Sequence, residues 1–188
     1  MSDEILVRHC APTLAGLKTA NMFNCEYDSE KEMREDLREL NRRLSSKGVM
    51  AVPLKYNGKT CLVYIVRIRN LEADLLDDTT LRILKDQGYS DLRPGCLIAR
   101  LSRRLSGDDF PHEIGLFLGY PPEDVKGFIE KRECKLSGYW RVYSDVSSAK
   151  AKFDKFSKCF RIYLEQLEKG RGLEQLTVGF AGLRSGFQ

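Results

Sequence analysis

The sequence predicts an α+β fold: a small, mainly antiparallel sheet flanked by several helices, with a long helix toward the C-terminus. Three observations carry this prediction. Two runs rich in β-formers, 49–56 and 60–67, are joined through Asn57-Gly58, a pair that accepts the positive φ angles of a tight hairpin turn. Met33, Leu37, Leu40 and Leu44 recur at helical spacing. Within residues 147–169, Ala149, Phe153, Phe156, Phe160, Tyr163 and Leu167 alternate by four and three, which lines up one apolar stripe on a long helix.

Along the chain, residues 3–10 are expected to form a short helix that stops before Pro12, because proline disfavours helix at the residue preceding it. Residues 13–25 read as extended, with Gly16 and Asn21 free to take unusual backbone angles. Ser29 and Glu32 form a capping box ahead of the Met33–Leu44 periodicity, and Gly48 offers a stop. Cys61-Leu62-Val63-Tyr64-Ile65-Val66 is nearly all apolar and predicts a central strand buried on both faces. Pro53 predicts that its partner is irregular or lies near an edge.

Residues 71–88 hold one or two helical turns, with Thr79 or Thr80 as cap and Gly88 as stop. Pro94 opens a helix to about Leu105 that carries Leu97, Ile98 and Leu101 inward. Two short helices follow, near 111–118 and 122–133, and 138–143 reads as a further strand. The stripe on the last helix is expected to dock on the sheet. One domain thus spans 1–169, and a glycine-containing tail, 170–188, forms either a terminal strand or an arm.

The composition, 42% hydrophobic and 31% charged, is that of an ordinary globular chain. A net charge of +4, with acids interleaved among the bases, argues against nucleic acid as a partner. No apolar run approaches the roughly 20 residues of a membrane span, and the acidic start lacks the form of a secretory signal. A cytoplasmic, membrane-free protein is therefore expected. The six cysteines are scattered without a Cys-x-x-Cys pair, so neither structural zinc nor a disulfide framework is indicated.

Chemistry concentrates in the segment from His9-Cys10 through Ala11, Pro12, Thr13, Leu14, Ala15 and Gly16 to Leu17-Lys18. A cationic His beside Cys10 would favour thiolate and make the thiol a nucleophile. Lys18 supplies a positive charge for an anionic ligand, and Gly16 lets backbone approach it. His112-Glu113 is the second candidate. The chain has only two histidines, and His9, His112 and Glu113 could ligate iron or zinc if folding unites them. The bland alternatives are a buried thiol at a tight turn, and a Pro111-His112-Glu113 helix start with Glu113 at the positive end of the helix dipole.

Gly115, Leu118, Gly119, Val125 and Phe128 imitate a helix-turn-helix. Glu123, Asp124, Glu130 and Glu133 outweigh Lys126, Lys131 and Arg132 there, and that face would repel phosphate. Arg100, Arg103 and Arg104 form a basic cluster, read as a solvated face or else as a docking patch for an acidic protein. Tyr139, Trp140 and Tyr143 are read as sheet packing rather than a flavin platform. There is no phosphate-binding glycine loop, no dinucleotide fingerprint and no Gly-x-Ser-x-Gly elbow, so no particular cofactor is named.

The segment from His9 to Lys18, continued by Ala20-Asn21-Met22-Phe23, resembles the N-terminal signature of an uncharacterised bacterial family common in clostridia-like anaerobes. The stretch from Phe110-Pro111-His112-Glu113 through Gly119-Tyr120-Pro121-Pro122 to Val125 resembles the same family, as does Gly138-Tyr139-Trp140-Arg141-Val142-Tyr143. The likeness reaches about residue 169. It brings no established activity; it implies a redox setting and a flavodoxin-like redox partner.

The functional expectation is a ligand- or cofactor-handling protein of anaerobic redox metabolism. Its pocket would be formed by His9, Cys10, Lys18 and Asn21, with His112 and Glu113 across from them. A thiol enzyme using Cys10, with His9 or His112 as base, and a non-catalytic adaptor are the rivals. The oligomeric state is left open.

Overall fold

One strand organises the core. The structure, a computed structural model, describes residues 1–107 and 109–179. In it β3 (Thr60–Arg67) lies between β1 (Ala20–Glu26) and β2 (Val49–Asn57), and both pairings are antiparallel. Successive side chains of a strand point to opposite faces. Cys61, Val63 and Ile65 accordingly enter one apolar cluster, while Tyr64 and Val66 enter another on the far side. The apolar run of β3 is thus explained by two covered faces. β2 is an edge strand, and its register slips between Pro53 and Lys55, as a proline without an N–H requires.

The first face carries α1 (Asp3–Leu14) and α2 (Glu30–Leu44), which bring Leu6, Cys10, Leu14, Met33, Leu37, Leu40 and Leu44 to the sheet. Ser29 caps α2 by accepting from the Glu32 N–H, and Gly48, at φ 75°, closes the turn after it. On the opposite face lie α3 (Ile68–Asp74), α4 (Asp78–Asp86), α5 (Pro94–Leu105), α6 (Ile114–Phe117) and α7 (Pro122–Ile129). Beyond them come a two-residue hairpin, β4 (Leu136–Ser137) and β5 (Arg141–Val142), then α8 (Val146–Glu168) and α9 (Leu173–Leu176). The predicted α+β class, with small antiparallel sheets and a long late helix, is the observed one.

Five local expectations are corrected. α1 runs through Pro12 to Leu14. The carbonyl that Pro12 leaves without an intrahelical donor belongs to Arg8, an exposed residue, and the helix ends two residues after the proline, so few of its hydrogen bonds are at stake. The cap of α4 is Asp77, which accepts from the Thr80 N–H at 2.8 Å; Thr80 itself is buried inside the helix. Residues 138–143 do not form one strand: Gly138 to Trp140 make the hairpin turn, and the Phe153 ring occupies the space where a Gly138 Cβ would sit.

The stripe on α8 meets α1 and the hairpin aromatics rather than the sheet. Tyr163, Leu164 and Leu167 pack against the cluster that holds Leu6, Cys10 and Leu14, while Phe153 and Phe156 pack with Trp140. The tail, expected as a strand or arm, folds as α9 against α1, and Val178 N–H bonds the Leu14 carbonyl at 3.0 Å. The part of that expectation concerning 180–188 lies outside the described residues.

Candidate functional site

The end of α1 sets the site. Gly16, at φ 76°, takes the left-handed conformation that ends a helix, and the Leu17 and Lys18 N–H groups both return to the Pro12 carbonyl. Arg67, wholly buried at the end of β3, secures this end from inside. It donates to the carbonyls of Thr13 (2.6 Å), Leu14 (2.6 Å), Val178 (2.7 Å) and Lys47 (3.2 Å). A cation at the C-terminal carbonyls of a helix is favourable to the dipole as well as to the hydrogen bonds.

The chain then turns Lys18 inward, where the residue is only 8% exposed. Its ammonium sits over the Tyr120 ring, 5.1 Å from the centroid, and among the described residues it has no carboxylate or other acceptor. Burial lowers its pKa to about 8, with the nearby Cys10 sulfur acting in the opposite direction.

Around that ammonium lies a groove of about 750 Å³. Gly16, Lys18 and Thr19 form one wall, Asn70 and Asp74 of α3 another, and Trp140 with Lys152 and Phe156 of α8 a third. Gly119 makes the close approach possible. It stands at φ 72°, and a Cβ there would lie 2.6 Å from Thr19 Oγ1. Thr19 Oγ1 donates to Asp74 Oδ2 at 2.5 Å. Burial raises the Asp74 pKa, while the Thr19 hydrogen bond and the Lys152 charge pull it back. Lys152 acts on this carboxylate, and with Lys18 and Lys155 also in the lining, the described residues around the groove are net positive.

Trp140 lines both the groove and a second, mostly apolar cavity of about 280 Å³, which Tyr120, Phe110, His112, Phe128 and Arg141 also line. The two rings stack with centroids 5.3 Å apart. Trp140 is fixed by Asp124, which accepts from its Nε1 (2.8 Å), from the Tyr143 and Ser144 N–H groups (2.8 Å each) and from Ser144 Oγ (2.7 Å). Burial alone would raise the Asp124 pKa, but these hydrogen bonds hold it below the usual carboxylate value. The three segments that carry the family resemblance therefore meet here, through Lys18 and Thr19, Gly119 and Tyr120, and Trp140.

The individually predicted residues are distributed differently. Of His9, Cys10, Lys18 and Asn21, only Lys18 lines the groove. Adjacent positions on α1 separate the first two: His9 is exposed and stacked on Phe23 at 4.7 Å, whereas Cys10 is fully buried. Burial pushes the Cys10 thiol far up, the reverse of activation, although Lys18 opposes the shift. Asn21 Oδ1 accepts from Thr13 Oγ1 at 2.7 Å and ties β1 to α1.

His112 lies on the rim of the apolar cavity, edge-on to Phe128. Glu113 is buried next to it in sequence, but its carboxylate is committed to Tyr89 Oη (2.9 Å) and Arg104 Nη2 (3.3 Å). Among the described residues no group of three His, Cys, Asp or Glu side chains is placed to hold a metal ion. Nor are the three arginines of α5 a uniformly solvated face. Arg100 lies over Tyr89, Arg104 engages Gln87 and Glu113, and Arg103 alone is exposed. In the sequence Asp74, Lys152 and Arg67 are each one charge among many, and Asp124 stands out only as one acid of a helix face that would repel phosphate.

Fold and site together define an α+β protein with a lysine-floored groove between α1, α3 and α8. None of its described helices is long and apolar enough to cross a membrane. By sequence the chain belongs to a family described as "Protein of unknown function (DUF3793)", whose model matches residues 6–177 and so includes α9 as well as the three motif segments. No curated protein and no solved structure matches it.

Proposed function

We propose that this protein binds a small organic anion in the Lys18 groove, and that this is the ligand-handling role the sequence suggests. The observation that carries the reading is Lys18, a largely buried residue that lines the groove and whose ammonium has no acceptor among the described residues. Burying a charge without a partner is costly, and an anion from solution removes that cost. The groove has the volume of small-molecule sites. Lys152 and Lys155 on its rim add charge for a carboxylate or phosphate, and Trp140 and Phe156 supply apolar surface for the rest of the molecule.

A thiol enzyme using Cys10 is a weaker reading, since a fully buried thiol with a raised pKa is a poor nucleophile. The acidic flavodoxin-like partner implied by the resemblance would find only Arg103 exposed among the three arginines of α5. The test is thermal unfolding with inorganic phosphate and, separately, succinate at constant ionic strength. One of these anions should raise the midpoint of the native protein and leave Lys18→Met unmoved. Equal shifts in the two proteins, or none in either, would overturn the proposal.

A further inference from the structure

We propose that Lys18 is the nucleophile of a Schiff base, formed with an aldehyde or ketone ligand whose carboxylate or phosphate is held at the Lys152–Lys155 rim. This rests on the anion-binding reading above and names the substrate class for the same groove. The geometry distinguishes Lys18 from a plain anchoring cation. A site built only to hold an anion is well served by an arginine or by lysines in water, and the rim already has two exposed lysines. Lys18 is instead a largely buried residue, its ammonium set against the face of Tyr120 and without an acceptor among the described residues. Desolvation of this kind gives a lysine a usable neutral fraction, roughly a tenth at pH 7 for a group titrating near 8.

The step balances without an oxidant or reductant. The Nζ lone pair of the neutral amine forms a C–N bond to the carbonyl carbon, and the C=O π pair moves to oxygen, which takes up a proton while Nζ releases one of its two, to give the carbinolamine. Nζ then loses its remaining proton, the hydroxyl leaves as water with a second proton, and C=N remains. Overall, amine and carbonyl give imine and one water. Protons must be carried in both halves. Asp74 is the acidic side chain that lines the groove, and its burial-raised pKa keeps it more readily protonated than an ordinary carboxylate. Thr19 Oγ1 holds Oδ2, which leaves Oδ1 for that exchange. An imine between Lys18 and the ligand also removes the unpaired charge from the interior at neutral pH, because an imine titrates lower than its parent amine.

The probes are glyoxylate, the smallest aldehyde bearing a carboxylate, and pyridoxal 5′-phosphate, which bears a phosphate. Each is incubated with the full chain and reduced with borohydride, and the adduct is located by peptide mass mapping. The expected result is one adduct per chain on Lys18, suppressed at least fivefold by excess succinate or phosphate and absent from Lys18→Arg. Lys152→Ala/Lys155→Ala should raise the half-saturating probe concentration severalfold without moving the modified residue. Because mapping is done on the native chain, the outcome does not depend on a variant folding. An unmodified Lys18, or adducts spread over exposed lysines, overturns the inference. If phosphate or succinate still stabilises that same protein in a Lys18-dependent way, the anion site survives and only the covalent step is lost.

Discussion

The Arg67 guanidinium donates to the Leu14 carbonyl at 2.6 Å, and among the described residues no carboxylate neutralises it; its partners there are four backbone carbonyls that converge from α1, the turn before β2, and the chain after α9. Burial lowers its pKa, with the Tyr163 hydroxyl acting the other way, yet an arginine remains charged. One side chain thus ties the start of the groove wall to the C-terminal segment. Arg67→Met should cost about 3 kcal/mol or more, from several buried carbonyls losing a donor at once. Arg67→Lys should recover little, because one ammonium cannot span the same fork. Urea unfolding checks both, and a loss under about 1 kcal/mol for Arg67→Met would contradict this account.

Lys18 should behave oppositely. Its folded pKa, about 8, lies below the ordinary 10.5, so the charged form is disfavoured in the native state. Below about pH 8 both states hold the proton and the penalty is complete. Between about 8 and 10.5 only the unfolded state holds it, so stability rises with pH across that window. Lys18→Met is therefore expected to be more stable than the native chain at pH 7, by up to something on the order of 3 kcal/mol, with the gain shrinking toward pH 10. Thermal unfolding of both proteins at the two pH values measures this. A destabilised Lys18→Met at pH 7 would indicate that the ammonium is paired after all.

Local chemistry accounts for what could be read from the sequence. Ser29 with Glu32, and Asn57-Gly58, each act within four residues, and the structure places a cap and a hairpin there. Pro94 and the Leu97, Ile98, Leu101 and Leu105 spacing likewise define α5. Pro12 and the Thr79–Thr80 pair misled because a competing local term won: Pro12 falls in the last turn of α1, where little helix remains to disrupt, and Asp77 is a stronger cap placed just upstream. The site was legible only where one segment held it. Gly16 and Lys18 belong to a recognisable turn, but the Asp74, Trp140 and Lys152 opposite them come from distant elements. Charged residues on helices look alike in sequence until tertiary packing buries some and exposes others. That is why Arg67 and Arg103 could not be told apart.

The thiols should separate in the same way. Cys10 is fully buried and Cys134 is exposed. With limiting iodoacetamide at pH 8, the native protein should take label on Cys134 and none on Cys10 until urea is added. Cys10→Ala should leave the native labelling unchanged and cost about 1–2 kcal/mol for the small cavity it opens among Leu6, Leu14 and their neighbours. Rapid labelling of Cys10 in the folded chain would restore the thiol-enzyme reading.

Asp124 gives the fold an acid-sensitive point that Trp140, the one tryptophan of the chain, can report. The carboxylate has a folded pKa below its ordinary value, so its hydrogen bonds contribute stability at neutral pH, where both states are ionised. As pH falls through the ordinary carboxylate range the unfolded state takes up a proton first, and the contribution is lost as pH drops on through the lower folded value. Asp124→Asn places an amide N–H₂ where an acceptor is required and should cost about 2 kcal/mol at pH 7. Its stability should also fall less steeply than that of the native chain between roughly pH 5 and pH 3. Acid titration followed by Trp140 fluorescence, with urea unfolding at each pH, compares the two slopes. Parallel slopes would mean that Asp124 is not the group linking the β4–β5 hairpin to pH. Because Trp140 stacks on Tyr120 and Tyr120 lies under the Lys18 ammonium, loosening this hairpin should also weaken anion binding at the groove, and phosphate titrations of Asp124→Asn should show it.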